Sequence, residues 1–130
     1  MVHKTLLIFL GGGLGSCLRF FITHLLSKTV DTTFPVGILT VNVLGCFLMG
    51  TTLGAFNSFA THSLWNSFII IGFLGGFTTF SSFTNDCIHL LQRGDFGWGA
   101  LYLIASVLLS IIFLMLGIWF VKYFYLIKFS

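Results

Sequence analysis

A chain of 130 residues with 57% hydrophobic side chains and only 7% charged ones cannot coat a water-facing surface, for which about a quarter of residues are normally charged. That excludes an ordinary soluble domain, and 17 phenylalanines against one proline exclude disorder. The net charge of +3, scattered over six basic and three acidic residues, suits lipid headgroups and excludes a nucleic-acid surface.

The expected fold class is all-α integral membrane: four transmembrane helices in a single domain over residues 1–130. The first is expected at about 5–26. Gly11 and Gly15 lie on one face of it, and Arg19 is the only cation well inside any span. Leu14-Gly15-Ser16-Cys17 has the outline of a lipoprotein cleavage site, but apolar sequence continues straight past it, so an uncleaved helix is expected. Lys28, Asp31 and Thr32-Thr33 mark a return to water, and Pro35 suits a helix start because its missing N–H is not needed there. The second helix is expected at about 35–56, with Asn42 early in it and Gly50 and Gly54 near its end. A polar loop from Asn57 to Asn66, containing His62 and Trp65, follows.

The third segment, 65–91, is too long for a plain span and holds glycines beside hydroxyls at its centre. A break near 75–79 is expected. Unwound backbone at that depth survives only when buried in protein or facing a watery cavity, although a glycine-mediated helix contact would also use these residues. Gln92-Arg93-Gly94-Asp95 forms a charged turn. The fourth helix is expected at about 98–121, anchored at the interface by Lys122, Tyr123, Tyr125 and Lys128. The pairs Gly11/Gly15, Gly50/Gly54 and Gly72/Gly76, each four apart, let backbones approach closely. They suggest more contact surface than one four-helix chain needs. Lys4, Lys122 and Lys128 on one side face Lys28 and Arg93 on the other, too weak a bias to fix orientation, so insertion both ways is expected.

Several polar groups in these spans need an explanation. Arg19 must find a partner or an aqueous vestibule. It either attracts an anion or locks helices by donating to carbonyls. Asn42 is either helix–helix glue or a donor to a desolvated ion. Phe80 and Phe83 share a helix face. Their ring edges carry partial positive charge, so they either pack or face an anion. Tyr102, Ser106 and Ser110 form a hydroxyl stripe, which either tracks an ion or bonds to the backbone four residues earlier. Asp86 could hold a cation or Arg19. His3, His24, His62 and His89 lack metal-ligand spacing. Cys17, Cys46 and Cys87 are odd in number, lie in apolar segments and read as packing residues. No nucleophile–base pair, phosphate loop or cofactor motif is visible, so the chain is not read as an enzyme.

Three motifs carry a resemblance. Gly11-Gly12-Gly13-Leu14-Gly15 with Arg19-Phe20, then Val41-Asn42-Val43-Leu44-Gly45-Cys46-Phe47 with Gly50, and then the run from Gly72 through Gly75-Gly76-Phe77-Thr78-Thr79-Phe80-Ser81-Ser82-Phe83 resemble the CrcB/Fluc fluoride channels. The resemblance implies an antiparallel, dual-topology homodimer in the cell inner membrane. Two fluoride pores would run through it, exporting cytoplasmic fluoride passively and relieving its toxicity. It implies that Asn42, Phe80, Ser82, Phe83, Tyr102, Ser106 and Ser110 line the pore, and that Arg19 serves a vestibule or structural role. It also implies a structural sodium ion at the dimer centre, held by the Gly75 and Thr78 backbone carbonyls of both copies. The chain departs from the family pattern at Ile38, where threonine is usual, and at Asp86, where glutamate is common. A small multidrug transporter would need an intramembrane carboxylate in its early helices, and none precedes Asp31. A non-transporting adaptor would leave the central break and the hydroxyl stripe without purpose.

Overall fold

The computed structural model describes residues 1–30, 33–55 and 64–128. Asp31, Thr32 and most of the expected polar loop, His62 included, lie outside the described residues, as do the side chains of Tyr125 and Lys128. Four helices are long and apolar enough to cross a membrane: Val2–Thr29, Val36–Ala55, Leu64–Gln92 and Phe96–Phe124. The last continues as helix to Lys128. The first and fourth outrun their expected bounds because a helix does not end where hydrocarbon ends. At the edges, hydroxyls bond back to the helix itself: Thr5 Oγ1 donates to the Met1 carbonyl at 3.3 Å and Thr29 Oγ1 to the Leu25 carbonyl at 3.1 Å.

The third span is unlike the others. Residues 67–74 wind as a wide π-helix, and helical geometry stops after Phe77. Thr78 (φ −84°, ψ 157°) and Thr79 (φ −152°, ψ 124°) are extended, and an α-helix restarts at Phe80–Gln92. Local chemistry closes each end. The Leu74 carbonyl accepts both the Thr78 N–H and the Thr78 hydroxyl at 3.0 Å. On the far side, Thr79 Oγ1 accepts the Ser82 N–H at 3.2 Å, the bond an N-cap threonine makes to an orphan donor of the first turn.

The first span packs on the leading half of the third, residues 64–77, and on the second span. The second span lies along the fourth, and the trailing half, Phe80–Gln92, returns against the fourth. Where third and fourth meet, Gly94 takes φ +81° and the Gly94 and Asp95 N–H groups bond to the Leu91 and Leu90 carbonyls, both at 3.0 Å. That left-handed turn reverses the chain, as glycine past a helix end commonly does. Beneath it, Phe83, Cys87, Leu90 and Tyr102 form a buried cluster, with Phe34, Ile38 and Leu39 packed on it. Ile38 is thus a packing residue.

Lipid gives helices no hydrophobic reason to associate, so close backbone contact and hydrogen bonds must hold them. Glycines provide the contact. A methyl at Gly11 would strike the Phe68 carbonyl, one at Gly15 the Phe73 carbonyl, and one at Gly76 the Gly12 carbonyl. On the other seam, Gly50 faces the Leu114 carbonyl, Gly54 the Ile118 carbonyl and Gly117 the Phe47 carbonyl. All three glycine pairs are therefore used between helices of the same chain. This corrects the expectation that they offer more contact surface than one four-helix chain needs. Spacing shows that some backbone comes close, not whose. Gly117→Ala would also place its methyl 2.8 Å from the Thr51 nitrogen. It is expected to destabilise the bundle by about 1–3 kcal/mol, read as a lowered melting temperature in detergent. Gly97→Ala, with nothing within 4 Å, is the control expected to leave it unchanged.

Candidate functional site

The helix interruption organises the polar groups. Asn42, one-third along the second span, spends its amide on it: Oδ1 accepts the Thr79 N–H at 2.8 Å and Nδ2 donates to the Thr79 carbonyl at 3.0 Å. Gly45, one turn on, is buried and makes room for the Thr78 methyl. From the first span, Arg19 Nη1 donates to the Thr78 carbonyl and Ser16 Oγ to the Gly76 carbonyl, each at 3.3 Å. Thr79 Oγ1 also meets the Ser81 and Ser82 hydroxyls at 3.2 Å. Extended backbone at this depth is satisfied almost wholly by side chains of other spans, as hydrocarbon requires.

Beside the interruption lies a cleft of about 310 Å³. Asn42 and Cys46 of the second span, Thr78, Thr79, Phe80 and Phe83 of the third, and Ser106 and Ser110 of the fourth line it. The trailing half-helix begins at its wall. A helix N-terminus concentrates unpaired N–H groups and partial positive charge, and so favours an anion. The Asn42 amide keeps one N–H beyond the bond it gives Thr79. Ser106 is 5% exposed, and its hydroxyl makes no well-aligned hydrogen bond among the described residues, although it lies close enough to the Tyr102 hydroxyl to interact with it. A buried hydroxyl without a well-aligned bond is under-satisfied, and a guest in the cleft could complete it. Phe80 is 74% exposed on the single chain while Phe83 is buried. Their rings stand 5.5 Å apart at 47°.

Residues 6–118 match the family described as CrcB-like protein, Camphor Resistance (CrcB). The chain is a member of the CrcB-like family. It is similar to the fluoride-specific ion channel FluC of Phocaeicola vulgatus, at 43% identity over 91% of this chain and 98% of that one. It is also similar to fluoride-specific ion channel FluC 2 of Nitrobacter hamburgensis, at 40% identity over 91% and 96%. The FluC of Rhizobium leguminosarum bv. trifolii is a third relative, at 40% over 88% and 93%. With four spans and this membership, the CrcB-like chain is a multi-pass membrane protein.

Within the CrcB-like fold, the expected residues separate into groups. Asn42, Phe80, Phe83, Ser106 and Ser110 meet in one cleft. Tyr102 does not line it. Fully buried, Tyr102 packs against Phe83 with ring centroids 5.4 Å apart and planes tilted by 46°, and donates its hydroxyl to Asp86 Oδ2 at 3.3 Å. Asp86 is thereby taken by a tyrosine from the next helix, and within one chain it does not hold Arg19, which bonds to a carbonyl. Ser82 stands behind Thr79 as a hydroxyl partner. Thr79 itself, buried and central to the hydroxyl network, was missed by sequence reasoning. Its signal was the N-cap pattern of a threonine immediately before a helix.

The Gly75 and Thr78 carbonyls were expected to hold sodium. The Thr79 N–H that would close the turn on Gly75 is given to Asn42, so the Gly75 carbonyl lacks its helical partner, on an exposed residue. The Thr78 carbonyl takes Arg19 and keeps a second lone pair. Backbone oxygens of this kind fit part of the shell of a hard cation. Among the described residues no group of three or more His, Cys, Asp or Glu could hold a metal, so one chain offers an incomplete shell.

Proposed function

We propose that the chain is a fluoride-selective passive channel that lets cytoplasmic fluoride leave the cell and so limits its toxicity. Two copies associate antiparallel in the inner membrane, inserted in both orientations, and enclose two pores. The observation that carries this reading is the cleft, which gathers weak anion-binding groups and contains no fixed cation or carboxylate. Fluoride is small and tightly hydrated, and removing its water without replacement donors would cost far too much. The Asn42 N–H, the Ser106 hydroxyl, Ser110, the start of the Phe80–Gln92 helix and the edges of Phe80 and Phe83 replace that water in steps. None of them binds an anion as strongly as a lysine would. Conduction needs this balance, with affinity enough to enter and little enough to leave. Tyr102 and Ser82 act from behind, one holding the Phe83 ring and the other the Thr79 cap.

The pairing follows from what one chain leaves uncovered. Phe80, Ser81 and Asn85 are exposed around the interruption together with Gly75, and lipid cannot satisfy polar groups at that depth. A second copy, inverted about an axis through the interruption, brings two more carbonyls to the Gly75 and Thr78 pair. A sodium ion between the copies would then be held by four backbone oxygens, supplying a fixed positive charge at the centre. Arg19 holds its carbonyl in place and adds positive potential nearby.

The test is efflux from liposomes containing the purified protein. Fluoride is expected to leave rapidly under its own gradient, with a charge-compensating ionophore present, while chloride stays. Liposomes that retain fluoride, or lose both halides alike, would refute the reading.

A further inference from the structure

The carbonyls at the end of a helix lose their intrahelical partners, and in hydrocarbon each needs another donor. Where the leading half of the third span ends, the Leu74 carbonyl is closed by Thr78 itself. The next ones are met by the first span: Ser16 Oγ donates to the Gly76 carbonyl and Arg19 Nη1 to the Thr78 carbonyl, both at 3.3 Å. Ser16 and Arg19 are three apart and share a helix face. A serine hydroxyl has little reach, so its bond depends on touching backbones. Gly76 lies against Gly12, and Gly15 against Phe73 and Phe77. The Gly75 carbonyl is passed over.

We infer that Ser16 is a positioning residue for the interruption: its hydroxyl, with the Arg19 guanidinium one turn on, ties the Gly76 and Thr78 carbonyls to the first span, so that the Gly75 carbonyl and the second lone pair of the Thr78 carbonyl are left as the acceptors available to a cation. This rests on the channel reading above. Without the Ser16 donor, the Gly76 carbonyl must find another, and the nearest backbone outside helical geometry is the extended pair Thr78–Thr79. Turning that pair moves the start of the Phe80–Gln92 helix and the Phe80 ring in the cleft.

Two variants test it, each measured in liposomes for fluoride turnover and for the sodium concentration that gives half of maximal turnover. Ser16→Ala removes the donor. Ser16→Cys keeps nearly the same volume with only a weak donor. Both are expected to elute as the parent does, to lower turnover about fivefold and to raise the half-saturating sodium concentration about fivefold, the effect of one lost neutral hydrogen bond. If Ser16 only filled space, S16C would match the parent in both measurements, and that result overturns the assignment. Should S16A fail to assemble, S16C carries the same comparison. If the parent conducts fluoride with no response to sodium, the cation in the channel reading falls. Ser16 is then judged by turnover alone: parent-like rates in S16C overturn its role, and a fivefold loss supports it.

Discussion

Phe80→Ile is expected to lower fluoride efflux about tenfold or more while the protein still elutes as the parent does. The ring is 74% exposed on one chain and sits at the wall of the cleft, so little packing within the chain depends on it. Isoleucine keeps much of the bulk and loses the positive ring edge, a difference of about 0.5–1.5 kcal/mol per contact. At the top of a permeation barrier, 1.4 kcal/mol is about tenfold in rate. Phe83→Ile should cost as much flux and some stability too, since Phe83 is buried against Tyr102 with ring centroids 5.4 Å apart. Efflux at the parental rate in both variants would remove the phenylalanines from the pore.

Substitution of Asn42 should have the larger effect. Asn42→Asp retains an oxygen to accept the Thr79 N–H but replaces the amide donor with a second oxygen. That oxygen faces the Thr79 carbonyl, 3.0 Å from the position of Nδ2, and presents negative charge to an arriving anion. Loss of the donor bond together with charge repulsion in a water-poor cleft is expected to reduce efflux about a hundredfold or more. Asn42→Leu loses both bonds and leaves the Thr79 N–H unpaired, a cost of about 1–3 kcal/mol, so a lowered yield of assembled protein is expected as well. Gel filtration separates the two effects. An N42D protein that assembles and conducts normally would show that the amide serves only as glue between helices.

The two expectations differ in how they could be reached from the residues alone. Four spans were legible because about 20 apolar residues in a row have few other uses, and Pro35 and Gly94 punctuate them. The ends were less so: Phe96–Lys128 outruns the expected 98–121, since a helix already formed propagates one hydrogen bond per added residue through the interface. Asn42, Phe80 and Phe83 stood out as types that need a reason in a membrane. The partners of these groups did not. Nothing in the order of residues says that Asp86 meets Tyr102 before Arg19, or that Gly11 and Gly15 touch the chain's own third span. Both depend on how the spans are arranged around one another. The π-helical winding of residues 67–74 was invisible for a different reason: in a run as uniformly apolar as Ser67–Leu74, no face contrasts with another, so period leaves no trace.

The fourth helix carries its own ruler. Trp98 near its start and Trp119, stacked on Tyr123 at 5.2 Å, stand about 32 Å apart along the axis at 1.5 Å per residue, close to the ~30 Å thickness of hydrocarbon. Indole and phenol rings favour the boundary between tails and headgroups, so this helix carries a depth marker at each end. A bilayer of shorter tails favours tilt, and tilt of this helix relative to the second span would work against the Gly50–Gly117 seam, where each glycine faces a carbonyl of the other helix. The seam thus shields the wall that carries Ser106 and Ser110 from changes in membrane thickness that would tilt this helix alone.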